Sequence, residues 1–268
     1  MRKLGRTLRD LRERNRMTQE EVAKRMRSSN SKLSRLEHGQ LPNFHEYLAM
    51  LDLYGIIPNN YPPYVALYER AKEKGWWHAY GIDDRGFVSL EAEACKEREH
   101  QLGYIPGLLQ TEEYMRANFA GARKPIRGKK LENELAVRLR RQLRLTEEPV
   151  LQVHAIIDET VLRRPILRPA AHRRQLEHVL EVAELSTVKV QVLPIAEGAH
   201  SGRNGSFIIL SYPDPEDPDI AYLEHGFGSL QTEKEAEVSV ARLAFDHLAR
   251  LAGKHDSAAL IREVIAET

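Results

Sequence analysis

The chain has 268 residues, of which 42% are hydrophobic, and this composition is typical of a globular protein with room for two domains. Its single cysteine, Cys95, excludes an intramolecular disulfide framework and a zinc site built from several cysteines. The N-terminus is charged where a signal peptide needs an apolar core, and the longest apolar runs, such as 207–210, are too short to span a bilayer. We therefore expect a cytoplasmic protein without a membrane partner.

The net charge of +1 conceals an uneven distribution along the chain. Residues 1–40 contain 12 Lys and Arg and 5 Asp and Glu, a net +7, so the remainder must carry −6. A basic segment of this size favours contact with a polyanion. A solvated, arginine-rich helix would carry the same charge, so charge alone does not decide between the two.

Four short helices are predicted in the first 55 residues. The buried face of the first is marked by leucines at helical spacing, namely Leu4, Leu8 and Leu11. Thr18 and Glu21 form a capping box that begins the second helix. Ser28-Ser29 offers an N-cap for the third helix, and Asn43 is placed to cap the fourth.

The segment Pro-Asn-Asn-Tyr-Pro-Pro at 58–63 cannot continue a helix and is typical of a linker. The predicted domains are therefore a helix-turn-helix domain over 1–57, a linker over 58–64 and a second domain over 65–268.

The second domain mixes β-branched runs, typical of strands, with helical patterns. Strands are predicted at 150–157, 188–193, 207–212 and 220–223, and helices at 172–185, from Thr232 to about Leu251, and at 258–266. The capping box Thr-Glu-Lys-Glu at 232–235 would begin the helix that follows it. The predicted fold class is α+β: an N-terminal all-α helix-turn-helix domain followed by a mixed α/β domain with a small sheet flanked by helices.

The third helix has the features of a DNA recognition helix. It is short, Leu33 and Leu36 face inward, and polar side chains lie at its N-terminal end, where base edges can be reached. The second helix begins with exposed amides beside Gln19, which suits a phosphate. The predicted partner is double-stranded operator DNA, and the predicted DNA-binding residues are Gln19, Ser29, Asn30, Ser31, Lys32, Ser34 and Arg35.

Two segments, Thr-Gln-Glu-Glu-Val-Ala at 18–23 and Ser-Lys-Leu-Ser-Arg-Leu-Glu-His-Gly at 31–39, resemble the Cro and lambda-repressor-like helix-turn-helix family, also called the xenobiotic response element (XRE) family. The resemblance covers about residues 4–55 and implies a homodimer on palindromic DNA. It implies a phosphate contact for Gln19, base contacts for Asn30, Ser31 and Arg35, and a structural role for Glu37 in tying the third helix to the loop after it.

One residue departs from the pattern of this family. The family usually has glycine in the turn after the second helix, and Arg27 stands there in this chain. A non-glycine residue at that point would have to adopt a positive φ. The geometry of the turn, and with it the tilt of the third helix, depends on this residue.

Residues ~65–250 resemble the second domain of actinobacterial regulators of the WhiJ type, which are often called antitoxin-like. The matching segments are 106–114, 162–165, 190–194, 198–202 and 222–224. The resemblance implies regulation, often beside genes for small partner proteins, and it does not identify a ligand. We predict a transcriptional regulator, a repressor or autoregulator, that is controlled through this domain by a small-molecule effector or a small, acidic partner protein. The alternative is an antitoxin-like interaction protein that neutralises a partner and autoregulates its operon.

The sequence contains no motif for a nucleophile, a metal or a cofactor, so we predict no cofactor and no metal, and an enzyme is the least favoured class. His172 and His178 lie six residues apart, on different faces of one helix, and are interpreted as ordinary surface or core histidines. Glu91 and Glu93 are interpreted as solvated carboxylates rather than a catalytic pair.

Two further features leave alternatives open. The glycine-rich segment 198–205 is either a flexible connection between strands or a loop that closes on a ligand or partner, with His200 and Arg203 as polar contacts. The helix 129–145 carries arginines opposite a leucine stripe. Its arginine face is predicted to be solvated, with docking of an acidic partner or a second DNA contact as alternatives.

Overall fold

A computed structural model describes residues 2–82 and 86–268 of the chain. The chain divides into two compact units, the first ending at Trp76 and the second beginning at Trp77. The first is all-helical and the second contains a six-stranded mixed sheet with helices on both faces, so the predicted α+β class is confirmed. In the described residues, no helix is both long and apolar enough to cross a membrane.

The first unit is built from five helices. They are α1 (Arg2–Arg14), α2 (Gln19–Arg25), α3 (Asn30–Glu37), α4 (Phe44–Leu53) and α5 (Pro62–Lys72). The leucines of α1 are buried together with Val22, Leu33 and Tyr47 from the next three helices. Each of α2, α3 and α4 begins at a side-chain cap, Thr18, Ser29 and Asn43 respectively.

Gly5 allows α1 to approach the end of α3 closely. A Cβ atom placed on Gly5 would lie 2.7 Å from the Gly39 nitrogen and 2.7 Å from the Leu36 oxygen. Both atoms belong to the backbone, so a side chain at this position requires the two helices to separate. The register of α1 against α3 therefore depends on a glycine near the N-terminal end of α1.

The first unit continues through the segment 58–64, for which a linker is predicted. Residues Pro58–Asn60 form a 3-10 turn and α5 begins at Pro62, because proline is accepted in the first turn of a helix. Tyr68 on α5 is buried in the helix-turn-helix core, where its hydroxyl donates to the Pro42 carbonyl at 3.0 Å. The first compact unit therefore continues through the predicted linker and ends at Trp76.

The second unit mixes helices and strands and ends in two helices. The helices are α6 (Phe87–Glu93), α7 (Glu112–Gly121), α8 (Gly128–Gln142), α9 (Glu159–Arg163), α10 (Pro169–Ala183), α11 (Glu235–Ala252) and α12 (Ser257–Glu267). The strands are β1 (Lys96–Gln101), β2 (Gln152–Asp158), β3 (Val188–Leu193), β4 (Phe207–Ser211), β5 (Ile220–His225) and β6 (Gly228–Thr232). Short 3-10 turns occur at Trp76–Tyr80, Gly107–Leu109, Leu143–Leu145, Ile195–Glu197 and Ser201–Asn204.

The sheet has the strand order β3-β2-β1-β4-β5-β6. Strands β1, β2 and β3 are parallel, and β4, β5 and β6 each pair antiparallel with the strand before them in that order. One face packs against α7, α9, α10 and α12 in the larger core. The opposite face packs against α11, through Phe245 and Leu248 on Ile156 and Ile209.

Two strands, β1 and β6, were not predicted from the sequence. β1 consists of Lys-Glu-Arg-Glu-His-Gln, with no apolar residue, although it lies in the middle of the sheet between β2 and β4. β6 is fully exposed apart from its last residue, so it also lacks a buried apolar pattern. The capping box predicted at Thr232 is wrong, because Thr232 belongs to β6 and Lys234 is the N-cap residue of α11.

Candidate nucleic-acid interface and a buried polar cluster

Helices α2 and α3 form a helix-turn-helix whose two beginnings are fixed by hydrogen bonds. The Thr18 hydroxyl accepts from the Glu21 amide at 3.2 Å, and the Glu21 carboxylate accepts from the Thr18 amide at 2.7 Å. This capping box confirms the prediction and lowers the pKa of Glu21 through the bond from the Thr18 backbone. The Ser29 hydroxyl accepts from the Lys32 amide at 3.2 Å and so starts α3.

Arg27 occupies the turn between these helices in the left-handed conformation, with φ of 49°. The predicted positive φ is therefore confirmed. The Ser28 amide donates to the Ala23 carbonyl at 2.8 Å, which closes the end of α2 in the way that glycine usually allows. An arginine thus accepts the backbone geometry that the turn requires.

Glu37, at the end of α3, ties the recognition helix to α1 and α2. Arg12 of α1 donates to both Glu37 oxygens, from Nε at 2.6 Å and from Nη2 at 3.1 Å. Gln19 of α2 donates from Nε2 to Glu37 Oε2 at 2.8 Å. The Glu37 side chain is fully buried, so its charge is balanced by Arg12 rather than by water. Glu37 therefore has the expected structural role, but its side chain connects α3 to α1 and α2 and not to the loop that follows α3.

The residues predicted to contact DNA lie on and beside α3, where the helix buries Leu33 and Leu36. Asn30, Ser31 and Arg35 are exposed on the other side of the helix. No described residue forms a side-chain hydrogen bond with Asn30 or Ser31. Both side chains therefore remain available for contacts outside the chain.

The other predicted DNA-binding residues are partly engaged within the unit. Lys32 pairs with Glu46 of α4 at 2.6 Å, and Ser34 is half-buried. Arg35 donates from Nε to Gln40 Oε1 at 3.0 Å, which orients the guanidinium and leaves its two terminal nitrogens without a hydrogen bond to any described residue. Gln19 is half-buried by its bond to Glu37.

In the second unit, buried charged side chains form a cluster between β1, α6 and α8, hereafter the carboxylate cluster (Glu91, Glu97, Glu99, Arg141 and Arg144). Arg141 donates from Nε to Glu91 Oε2 at 2.8 Å, and Arg144 donates to the Ala94 carbonyl at 2.6 Å. All three glutamates are no more than 2% exposed. Each retains one buried carboxylate oxygen without a hydrogen-bond partner in the described residues.

Two sequence interpretations are corrected by this cluster. Glu91 is buried and ion-paired, whereas its supposed counterpart Glu93 is exposed, so they do not form one solvated face. Part of the arginine face of α8 is turned inward, since the Arg141 side chain is 11% exposed while Leu139 is 40% exposed. Arg140 is exposed and Leu135 is buried, as predicted. The periodicity of the helix could not reveal this arrangement, because the buried glutamates that attract Arg141 include Glu97 and Glu99 on β1, which are distant in sequence.

Burial changes the pKa values of this cluster. Desolvation raises the pKa of Glu99 to about 7, although a hydrogen bond from Gln101 acts in the opposite direction. Desolvation, and next the nearby Glu91, raise the pKa of Glu97 well above its usual range. Burial lowers the pKa of Arg138, beside the cluster, to about 10. The site therefore holds a carboxyl group that titrates near neutral pH.

A cleft of about 310 Å³ lies at the end of β1, between that strand, β4 and β5. It is lined in part by Gln101, Tyr104, Tyr222 and Glu224. Gln101 connects this cleft to the cluster, because its Nε2 donates to Glu99 Oε2 at 3.1 Å. A molecule in the cleft would thus lie one hydrogen bond away from a titratable carboxyl group.

The glycine-rich segment 198–205 is folded onto β1 rather than extended. The Gly202 carbonyl lies 3.0 Å from His100 Nε2, and a Cβ atom on Gly202 would lie 2.7 Å from the same nitrogen. His200 is half-buried with its Nδ1 atom unpartnered, and Arg203 is exposed. The two predicted contact residues therefore lie in one fixed loop but in different environments.

The two histidines of α10 are a core residue and a surface residue. His172 is buried and its Nε2 lies 2.8 Å from the Leu162 carbonyl, and His178 lies 3.8 Å from Glu181. Across residues 2–82 and 86–268, no group of three or more His, Cys, Asp or Glu side chains is arranged to hold a metal ion.

A capped, anchored helix pair with an exposed polar face on its second helix defines a helix-turn-helix DNA-binding regulator. In agreement with that class, residues 3–59 match a family described as "Helix-turn-helix domain". A second family, described as "Domain of unknown function (DUF5753)", matches residues 84–263. Because this match covers most of the chain, the protein belongs to the DUF5753 family. No curated protein and no solved structure matches the chain significantly.

Proposed function

We propose that the protein is a sequence-specific transcriptional regulator of the XRE type that binds operator DNA as a homodimer through α3. The observation that carries this proposal is the asymmetry of α3, whose leucines are buried while Asn30, Ser31 and Arg35 are exposed. A helix with this asymmetry can enter the major groove and place amide and guanidinium groups against base edges. The anchoring of Glu37 to Arg12 holds α3 in a fixed orientation.

The proposed roles divide the predicted residues into two groups. Asn30, Ser31 and Arg35 contact bases, because their side chains are exposed and their donors are available. The others position the helix on the phosphate backbone. These are Gln19, Ser29, Lys32 and Ser34. For Gln19 and Lys32 this role requires the bonds to Glu37 and Glu46 to be shared with, or exchanged for, a phosphate contact.

The DNA-binding proposal is tested by selecting an operator from random DNA and then measuring affinities. Arg35→Ala and Asn30→Ala should each weaken binding to the selected site by about 1–3 kcal/mol, with a smaller loss on random DNA. Arg70→Ala, which removes an exposed arginine from α5 of the same unit, serves as the matched control. Equal losses on both DNAs would remove Arg35 and Asn30 from base recognition.

Salt dependence provides an independent check on the docking surface. The affinity should fall steeply as salt rises, because each lysine or arginine that contacts a phosphate releases a counterion. Lys32→Ala should reduce the slope, whereas Arg70→Ala should not. A salt-independent affinity would contradict docking through the basic first unit.

We further propose that the second unit regulates DNA binding by a population shift, in a cytoplasmic repressor or autoregulator of the WhiJ type. An effector that prefers the DNA-incompetent form would lower operator occupancy. The cleft beside Glu99 supports a small-molecule effector, and His200 and Arg203 are proposed as polar contacts for an effector or a small acidic protein. Native mass spectrometry of the protein purified gently from its host tests this. A bound species of defined mass is expected, and a chain that never carries one and binds its operator constitutively would contradict regulation by an effector.

A further inference from the structure

Helix α11 has two apolar faces, and only one of them is covered. Val238, Phe245, Leu248 and Ala252 are buried against the sheet. At about 100° per residue, Val240 and Leu243 point roughly 150° away from that face. They are 66% and 68% exposed, which is unusual for large aliphatic side chains on an ordered helix.

The exposed apolar residues recur at the spacing of a helix-pairing seam. Ala236, Val240, Leu243 and His247 follow one another at intervals of four, three and four residues, and all four are exposed. This alternation keeps one stripe of a helix facing a neighbouring helix, as in a coiled coil. The stripe, hereafter the α11 outer face (Ala236, Val240, Leu243 and His247), therefore has the pattern of a helix–helix contact that no described residue of the second unit supplies.

We propose that the α11 outer face is where two copies of this chain pair, with their α11 helices antiparallel. Charge favours a second copy as the partner, because the helix is acidic in its first turn, at Glu235 and Glu237, and basic in its last turn, at Arg250. The two glutamates also pair within their own chain, with Arg242 and Lys234, so these bonds would be shared with the second copy. Antiparallel pairing places the acidic end of one copy beside the basic end of the other. Parallel pairing would place like charges together, and a uniformly acidic partner would be repelled at one end.

The same geometry defines the register of the pair. Leu243 lies seven residues from Ala236 and seven from Arg250, at the middle of the seam. A two-fold axis at Leu243 therefore places Leu243 against its own counterpart and Arg250 of one copy beside Glu235 of the other. The Glu235 side chain is 72% exposed, so it can reach a second copy although it also contacts Arg242.

This inference deepens the proposed function, because it assigns the surface that makes the regulator a dimer. It is nevertheless tested without DNA, so the two proposals can fail separately. A dimer that binds no DNA would contradict the regulator and leave the α11 pairing intact. A monomer that binds a single half-site would contradict the pairing and leave DNA recognition intact.

The first experiment measures the oligomeric state of the full-length protein by sedimentation equilibrium. The wild type should be a dimer, and Leu243→Glu should raise the dimer dissociation constant roughly 100-fold, because it places two carboxylates at the centre of the seam. Leu139→Glu, on α8, is the matched control and should leave the constant unchanged; its leucine is also exposed. Circular dichroism establishes that both variants are folded. A monomeric wild type, a dimeric Leu243→Glu variant or an equal effect of Leu139→Glu would overturn the proposal.

The second experiment tests the register by cross-linking with a short bismaleimide, in a Cys95→Ser background. Leu243→Cys should give a covalent dimer, since the two positions face each other across the axis. Ala236→Cys should not, because antiparallel pairing separates the two copies of position 236 by about 21 Å, at about 1.5 Å per residue. Cross-linking of both variants, of Ala236→Cys alone or of neither would overturn the antiparallel register.

Discussion

Arg12 and Glu37 form a buried ion pair with two hydrogen bonds that joins the first helix of the protein to the end of its recognition helix. The pair is shielded from water, since the Glu37 side chain is fully buried and that of Arg12 is 11% exposed. Removing one member of such a pair is costly because the other charge stays buried without compensation.

Arg12→Ala should therefore lower the stability of the first unit by about 3–5 kcal/mol. Hydrogen exchange of peptides that cover α3 measures this, and exchange should accelerate strongly because α3 loses its tie to α1. Arg14→Ala, on the exposed end of the same helix, is the control and should leave α3 protected. Unchanged protection in Arg12→Ala would show that Gln19 and Arg9, which also contact Glu37, suffice to hold it.

Gly5→Ala should also destabilise the first unit, by about 1–3 kcal/mol, because the added methyl group would press on the backbone at Leu36 and Gly39. Gly121→Ala is a matched control at the end of α7, where a Cβ atom would meet nothing within 4 Å. Thermal unfolding monitored by circular dichroism measures both. A neutral Gly5→Ala variant would mean that α1 can move away from α3 without loss.

Glu99→Gln should change how stability depends on pH. The fold raises the pKa of Glu99 from its ordinary 4.5 to about 7, so the folded state binds this proton more tightly than the unfolded state. The stabilisation is complete below pH 4.5 and is lost as pH rises through 7. The variant should therefore be more stable than the wild type at pH 8, by on the order of 1–3 kcal/mol, and similar to it at pH 5.

Urea unfolding at the two pH values measures this difference. Glu93→Gln removes an exposed glutamate from α6 and should show no such difference between pH 5 and pH 8. If Glu99→Gln gains as much at pH 5 as at pH 8, the ionisation of Glu99 does not oppose folding.

Gly202→Ala should loosen the loop 198–205, because its methyl group would lie 2.7 Å from His100 Nε2 and 3.0 Å from His200 Nδ1. We expect a loss of about 1–3 kcal/mol and faster hydrogen exchange in this loop. Gly103→Ala, where a Cβ atom would meet nothing within 4 Å, is the control. Unchanged exchange in Gly202→Ala would indicate that the loop is not held by its contact with His100.

The exposed side of the recognition helix was predictable from the sequence. Leu33 and Leu36 lie at helical spacing, and this periodicity alone places Ser31 and Arg35 on the opposite side, with Asn30 at its edge in the first turn. The partners of Glu37 were not predictable, because Arg12 lies 25 residues away and no local pattern connects the two. The assignment of these residues to DNA contacts stays a prediction.

The sequence by itself determined the local elements of the first unit, because capping and apolar periodicity act over a few residues. Thr18, Ser29 and Asn43 cap the helices that they were predicted to cap. The tertiary structure alone decided the centre of the sheet. β1 is a strand because β2 and β4 satisfy its backbone on both sides, although its side chains are polar. Burial of the β1 glutamates is tolerated because arginines that are distant in sequence, such as Arg141 of α8, place positive charge beside them where water is excluded.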